Sequence, residues 1–110
     1  MTIIDALKKL YMPLPNGGRF TLPQDFPAFN GHFPDAPVLP AVVQIMMAVH
    51  VISEGVGSSR KLKEIKKAKF AAVIKSGDVI DVMVTPKENI FDIIIKNDST
   101  VFSSFQIVTD

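Results

Sequence analysis

The sequence predicts an α+β domain in which an antiparallel sheet wraps around one long central helix. Two observations carry this. Ala41 to Glu54 is apolar on nearly its whole circumference, with Val42, Val43, Ile45, Met46, Met47, Ala48, Val49, Val51 and Ile52, and a helix apolar all round is buried all round. Past Ser58 the pattern changes to period two with β-branched residues, which is the signature of strands. One buried helix followed by four antiparallel strands needs a sheet that curls over the helix. A single sheet face cannot satisfy such a helix, so a second subunit is expected to complete its cover.

The elements follow in order. Thr2 to Leu10 has Ile3, Ile4, Leu7 and Leu10 at helical spacing, with Thr2 and Asp5 in a capping-box-like relation. Pro13, Pro15, Asn16, Gly17 and Gly18 then break the chain, and Arg19 to Leu22 reads as a short strand. Pro23 to Pro40 carries five prolines together with Phe26, Phe29 and Phe33; flexible linkers lack such anchors, so an ordered, irregular loop is expected. Pro40 suits the first turn of the central helix, and Gly55 and Gly57 stop it. Strands are expected at Leu62–Ile74, Val79–Thr85, Ile90–Ile95 and Val101–Val108. The turns between them fall at Ser76-Gly77-Asp78, Pro86 to Asn89 and Lys96 to Ser99.

Bulk properties exclude several functions. At 110 residues the chain has the size of one domain. Hydrophobic residues make up 47% and charged residues 21%, enough apolar surface for a core and too much for a disordered tail. A net charge of +1 makes no case for nucleic acid or a membrane surface. The absence of cysteine removes disulfides, thiol nucleophiles and thiolate metal sites. His32 and His50 stand eighteen residues apart without clustered acids, so neither a metal nor another cofactor is expected. Met1 to Leu10 lacks the apolar centre of a signal peptide. The longest apolar run, Val38 to Ile52, contains Pro40, Gln44 and His50 and falls short of the roughly 20 residues a membrane span needs. The cytoplasm is the expected address.

The chemistry is concentrated in Phe29-Asn30-Gly31-His32-Phe33-Pro34-Asp35-Ala36-Pro37-Val38-Leu39-Pro40-Ala41-Val42-Val43-Gln44. This run resembles the signature of the hotdog 3-hydroxyacyl-acyl carrier protein dehydratases: Gly-His-Phe-Pro, two variable residues, Pro-Val, one residue, Pro-Gly-Val. Its Val-Val-Gln-Ile continuation is most similar to the branch found with aryl polyene and related lipid pathways. Lys69-Phe70 and Gly77-Asp78 fall where that family has a Lys-Phe strand and a Pro-Gly-Asp turn, with Ser76 in place of the proline. The resemblance spans roughly Phe20 to Val84 and implies a single hotdog domain over residues 1–110.

Dehydration of a 3-hydroxyacyl thioester removes the proton alpha to the carbonyl and expels the beta hydroxyl. A neutral imidazole suits the first step because its pKa lies near the operating pH, and prolines hold such a ring in place. By resemblance His32 is the base, the Ala41 N–H is the oxyanion donor, and Phe33, Pro34, Val38, Pro40 and Met46 line the acyl pocket. The substrate implied is an acyl thioester on an acyl carrier protein.

Two departures from the family matter. Alanine replaces glycine at position 41, which keeps the N–H and adds a methyl. Met46, fourteen residues after His32, stands where the family places an acid that handles the hydroxyl and is donated across the dimer interface. Four sources could replace it: His50 one turn further along the helix, Asp35, Glu54, or a different hotdog subunit in a heterodimer. A dehydratase that works weakly or with a partner, as homodimer or heterodimer, therefore stands beside a non-catalytic acyl-binding or partner-stabilising hotdog protein, with a thioesterase as the weaker third reading. His50 and Gln44 read first as buried structural contacts. The basic run Arg60, Lys61, Lys63, Lys66, Lys67 and Lys69 suits either an acidic carrier protein or a sheet edge blunted by lysine. No aromatic residues interleave with it, which argues against nucleic acid.

Overall fold

The computed structural model describes residues 2–29, 38–56 and 61–110. His32, Phe33, Pro34 and Asp35 of the motif lie outside them. The expected α+β arrangement is the one observed: a six-stranded antiparallel sheet with a long helix on one face.

Helix α1, Ile3–Leu10, starts as its sequence requires, since the Asp5 N–H donates to the Thr2 hydroxyl oxygen at 3.1 Å. Asp5 in its first turn and Lys8 and Lys9 in its last complement the helix dipole. The Pro and Gly cluster that follows does not simply break the chain. It forms a hairpin of β1, Met12–Leu14, and β2, Gly17–Thr21, about Pro15-Asn16. The glycines have a second use here, because a Cβ on Gly17 would overlap the Val82 carbonyl oxygen of the strand beside it.

A 3-10 turn at Pro27–Phe29 seats Ala28 and Phe29 in the core. Helix α2 runs Ala41–Val56, two residues beyond the expected Glu54. Strands β3, Leu62–Phe70, β4, Val79–Lys87, β5, Ile90–Lys96, and β6, Val101–Thr109, complete the sheet in the order β1-β2-β4-β5-β6-β3. Strand β3 stops four residues before the expected Ile74. Its ladder with β6 is already interrupted between Lys66 and Lys69, where Lys67 adopts φ 53°, and the Ala71 and Ala72 N–H groups both donate to the Phe102 carbonyl as the chain turns away.

The core lies between α2 and the concave sheet face. Alternation along the strands brings Ile80 and Val82 of β4, Phe91, Ile93 and Ile95 of β5, and Phe105 and Ile107 of β6 inward, onto Val43, Met47, Ala48, Val51 and Ile52 of α2. Burying each such large side chain contributes roughly 1.5–3 kcal/mol. Arg19 and Asp81, cross-strand neighbours on β2 and β4, form a two-pronged ion pair at 2.7 and 3.1 Å. The guanidinium hydrogen bond holds Asp81 below the usual carboxylate range.

Within one chain α2 is not buried all round, in line with the expectation that its own sheet does not satisfy it. Val42 is 62% exposed, and Ile45, Met46 and Val49 are only partly buried. The sheet covers one side of the helix and α1 part of another, which leaves an apolar stripe that no other described residues cover fully. Among the described residues no helix is long and apolar enough to cross a membrane.

Candidate active site

The entry and exit of the proline-rich loop are tied to one short segment. On the entry side, Leu22 donates its N–H to the Asp78 carbonyl at 3.0 Å and accepts from the Gly77 N–H at 2.7 Å. On the exit side, Val38 bridges to Lys75, and the Leu39 N–H donates to the Ile74 carbonyl at 2.8 Å. The segment 74–78 holds its own shape: the Asp78 carboxylate accepts from the Lys75 N–H at 2.8 Å, and Gly77 supplies φ 89°, a conformation that favours glycine. The Ser76-Gly77-Asp78 turn read from the sequence is thus the clamp on both sides of the motif. Its place in the motif was legible in Gly77-Asp78, but its reach to Leu22 and Leu39 was not.

Gln44 is the second positioning group. Its side chain is buried, donates Nε2–H to the Leu39 carbonyl at 3.4 Å, and accepts the Ser103 hydroxyl hydrogen at 2.7 Å. The start of α2 is thereby fixed to β6 and to the chain just before it. This is the buried amide contact expected of Gln44.

The described site residues fall around two cavities. A pocket of about 210 Å³ at the start of α2 is lined by Val38, Ala41, Gln44, Phe70 and Val73 among others. Ala41 is exposed there at the first position of the helix, where backbone N–H groups lack partners within the helix and suit a developing negative charge. Pro40 precedes it, half-buried, and its carbonyl accepts from the Val43 and Gln44 N–H groups. A larger cavity of about 670 Å³ opens on the other side, between α1 and α2, lined by Val42, Ile45, Met46 and Val49 with Ile4, Leu7 and Leu62. Its titratable groups are Lys8, His50 and Glu54. Ala41 and Met46 therefore line different cavities, and within one chain they are not brought together.

His50 does face the cavity of Met46, as its spacing suggested. It is also committed elsewhere: its Nε2 lies 3.6 Å from the Glu54 carboxylate, and its ring meets Tyr11 edge-on at 5.0 Å. Burial pushes the imidazole below its ordinary pKa, with Glu54 opposing this and Lys8 adding to it. A histidine held neutral in the folded state protonates more readily when unfolded. Its contribution to stability is therefore intact above the unfolded value near 6.5 and is lost as pH falls through the lower folded value. His50→Gln is expected to flatten the pH dependence of the melting temperature just below pH 6.5 and leave the steeper acid loss from Asp81 and Asp92, both held low, in place. Thermal melts between pH 7 and about pH 2 measure both, the histidine's part just below pH 6.5 and the carboxylates' part below about pH 4.

The comparisons agree with this architecture. The family model for ApeI-like proteins, described as ApeI dehydratase, matches residues 17–106. The 3-hydroxyacyl-[acyl-carrier-protein] dehydratase FabZ of Rickettsia massiliae is 32% identical over 66 residues, covering 53% of this chain and 46% of the relative. FabZ of Rickettsia bellii is 31% identical over 67 residues, covering 54% and 46%. The chain thus spans about half the length of the curated relatives it matches. Among solved structures, the dehydratase heterocomplex ApeI:P from Xenorhabdus doucetiae superposes with a TM-score of 0.78 at 22% identity, covering 89% of this chain and 90% of the other. An uncharacterized protein from Erwinia carotovora subsp. atroseptica gives 0.68 at 21%, covering 91% and 89%. These two likenesses concern the fold, and with the family match they settle its kind: the chain has the hotdog fold and belongs to the ApeI-like family of 3-hydroxyacyl-acyl carrier protein dehydratase-like proteins.

Proposed function

We propose that the chain is a dehydratase-like subunit that binds an acyl thioester on an acyl carrier protein, with His32 as base, and that it removes water from substrate weakly by itself and efficiently only with a partner subunit that supplies the acid. The observation that carries this is the setting of Met46. It lines an apolar cavity whose one carboxylate among the described lining residues, Glu54, lies two helical turns away beside His50. Among the described residues that line the cavity no acid of the chain stands closer to that position. A cavity left partly open on α2 also supports a second subunit as its cover, and the solved neighbour from Xenorhabdus doucetiae is itself a heterocomplex.

In the proposed reaction His32 takes the alpha proton, and the charge that moves onto the thioester oxygen is met by the Ala41 N–H. The electron pair of the broken C–H bond forms the alpha–beta double bond. The beta C–O bond breaks as the partner's acid protonates the hydroxyl, and water leaves. Val38 and Pro40 flank the thioester, and Met46 contacts the acyl chain from the other subunit's side. The fixed positions of Leu22 and Val38 support the role given to His32, because both sides of its loop are anchored to the same turn.

A non-catalytic acyl-binding role is the second reading, favoured by the same Met46 and by the methyl of Ala41. Mass spectrometry of a 3-hydroxyacyl-carrier protein substrate separates the two. Water loss by the wild-type chain at low rate, abolished in His32→Ala, supports the first reading. Protection of the acyl chain without any water loss, also under conditions that force subunits together, supports the second.

A further inference from the structure

The face of α2 that meets the larger cavity changes character along its length. Val42, Ile45, Met46 and Val49 recur at the three- and four-residue spacing that keeps side chains on one side of a helix. At a rise of about 1.5 Å per residue this apolar floor is about 10 Å long. The next position of the stripe is Ser53, and beside it the cavity is lined by His50 and Glu54. Helix α1 repeats the change on the facing wall, where Ile4 and Leu7 give way to Lys8, whose charge acts on His50. The cavity is thus hydrocarbon at one end and hydrogen-bonding or charged at the other, on both helices.

The polar end is held in place by its own contacts. The His50 Nε2 stands 3.6 Å from Glu54, and the ring meets Tyr11 edge-on at 5.0 Å. Tyr11 is seated in turn over Gly18, where a Cβ would overlap its ring. Glu54 and Lys8 are exposed to water. Methylenes carried over such groups displace that water and return no hydrogen bond, whereas each methylene laid on the apolar floor gains about fourfold in affinity. At about 670 Å³ the cavity lies within the roughly 300–1,000 Å³ usual for small-molecule sites. It runs between two helices of the same chain, so a second subunit over the α2 stripe would roof it rather than fill it.

We propose that the cavity between α1 and α2 takes the hydrocarbon part of the acyl thioester, and that His50 and Ser53 set the chain length it rewards by ending the apolar floor just past Val49. The proposal rests on the acyl-binding reading, which the catalytic and non-catalytic forms share. It adds the class of chain: a straight hydrocarbon of medium length that ends in a methyl group near His50.

Calorimetric titration of the full chain with N-acetylcysteamine thioesters of straight saturated acids, from butanoyl to dodecanoyl, reads the affinity per added carbon without turnover. In the wild type, affinity is expected to rise about fourfold per methylene and then to level off. In Ser53→Leu and in His50→Leu the rise is expected to continue into longer members of the series, because leucine extends the floor. His50→Gln changes the ring but not the polarity, and is expected to keep the wild-type plateau. Ser53→Leu retains both His50 and Glu54, so it tests the floor even if His50→Leu fails to fold. A wild-type rise that runs undiminished to dodecanoyl, or a plateau that neither leucine variant moves, would overturn the proposal while leaving acyl binding intact. Tighter binding of a thioester with a terminal hydroxyl than of its methyl-ended equivalent would also overturn it, and assign His50 and Glu54 to recognition of a polar chain end. Failure of every thioester to bind would remove the acyl-binding reading together with this proposal. None of these readouts involves water loss, so failure of the dehydration reading is a separate result.

Discussion

Met46→Glu is expected to raise His32-dependent water loss by roughly 10²–10⁴-fold, the range that a positioned general acid contributes. The substituted position suits a general acid. Val42, Ile45 and Val49 line the same cavity, and apolar surroundings disfavour the charged carboxylate, which keeps the proton available at neutral pH. Met46 is only partly buried, so the substitution does not force a charge into the core. Ala41 and Met46 line different cavities in one chain, so on the proposed reading the new acid would serve a site completed by another subunit. The assay is therefore run at high protein concentration, which drives subunits together by mass action. A sharper form mixes wild type with a copy carrying both His32→Ala and Met46→Glu. Each is deficient alone, and water loss in the mixture shows the base and the acid meeting across an interface. If Met46→Glu gains nothing in either form while the protein stays folded, the pocket lacks more than an acid, and the acyl-binding reading takes over.

Much of this arrangement was legible in the residues. Period-two patterning placed β4, β5 and β6 within two residues of their observed bounds, because alternating Ile80 and Val82, and Phe91, Ile93 and Ile95, have one dry face to fill. The hairpin of β1 and β2 was hidden because Pro13, Pro15 and the glycines read as punctuation. The pairing that turns them into strands depends on β4, some sixty residues on, with Gly17 opposite Met83. The early end of β3 was hidden for a similar reason: the Phe102 carbonyl captures both Ala71 and Ala72, and no local pattern announces such a contact. The circumference of α2 was read correctly as apolar, but that apolarity cannot say which part of the cover comes from the same chain. For the site, the motif announced the segment from Phe29 to Gln44, whereas the clamp at 74–78 and the Gln44–Ser103 bond join residues too far apart in sequence for spacing to reveal.

The Gln44–Ser103 bond leads to the second large expected effect. Gln44→Leu keeps most of the buried volume and removes both hydrogen bonds. The Ser103 hydroxyl then loses its acceptor in a buried place, and the Leu39 carbonyl loses the amide that holds it. A buried polar group left without its partner costs about 1–3 kcal/mol, which for a domain near this size lowers the melting temperature by roughly 5–15 °C. Adding Ser103→Ala to Gln44→Leu is expected to recover most of that loss, since removing both partners together is nearly neutral. Water loss measured in the Met46→Glu background is expected to behave differently. The double variant regains stability but not the Leu39 contact, so the chain entering α2 at Ala41 loses one of its ties. Misplacement on the ångström scale costs about 10²-fold in rate, and turnover is expected to stay low in the stabilised double variant. Ser103→Ala alone keeps the Gln44–Leu39 bond and should lose stability with little loss of rate. Stability and turnover that recover together in the double variant would instead show that Gln44 serves the core alone, with the exit of the loop held sufficiently by Ile74 and Lys75.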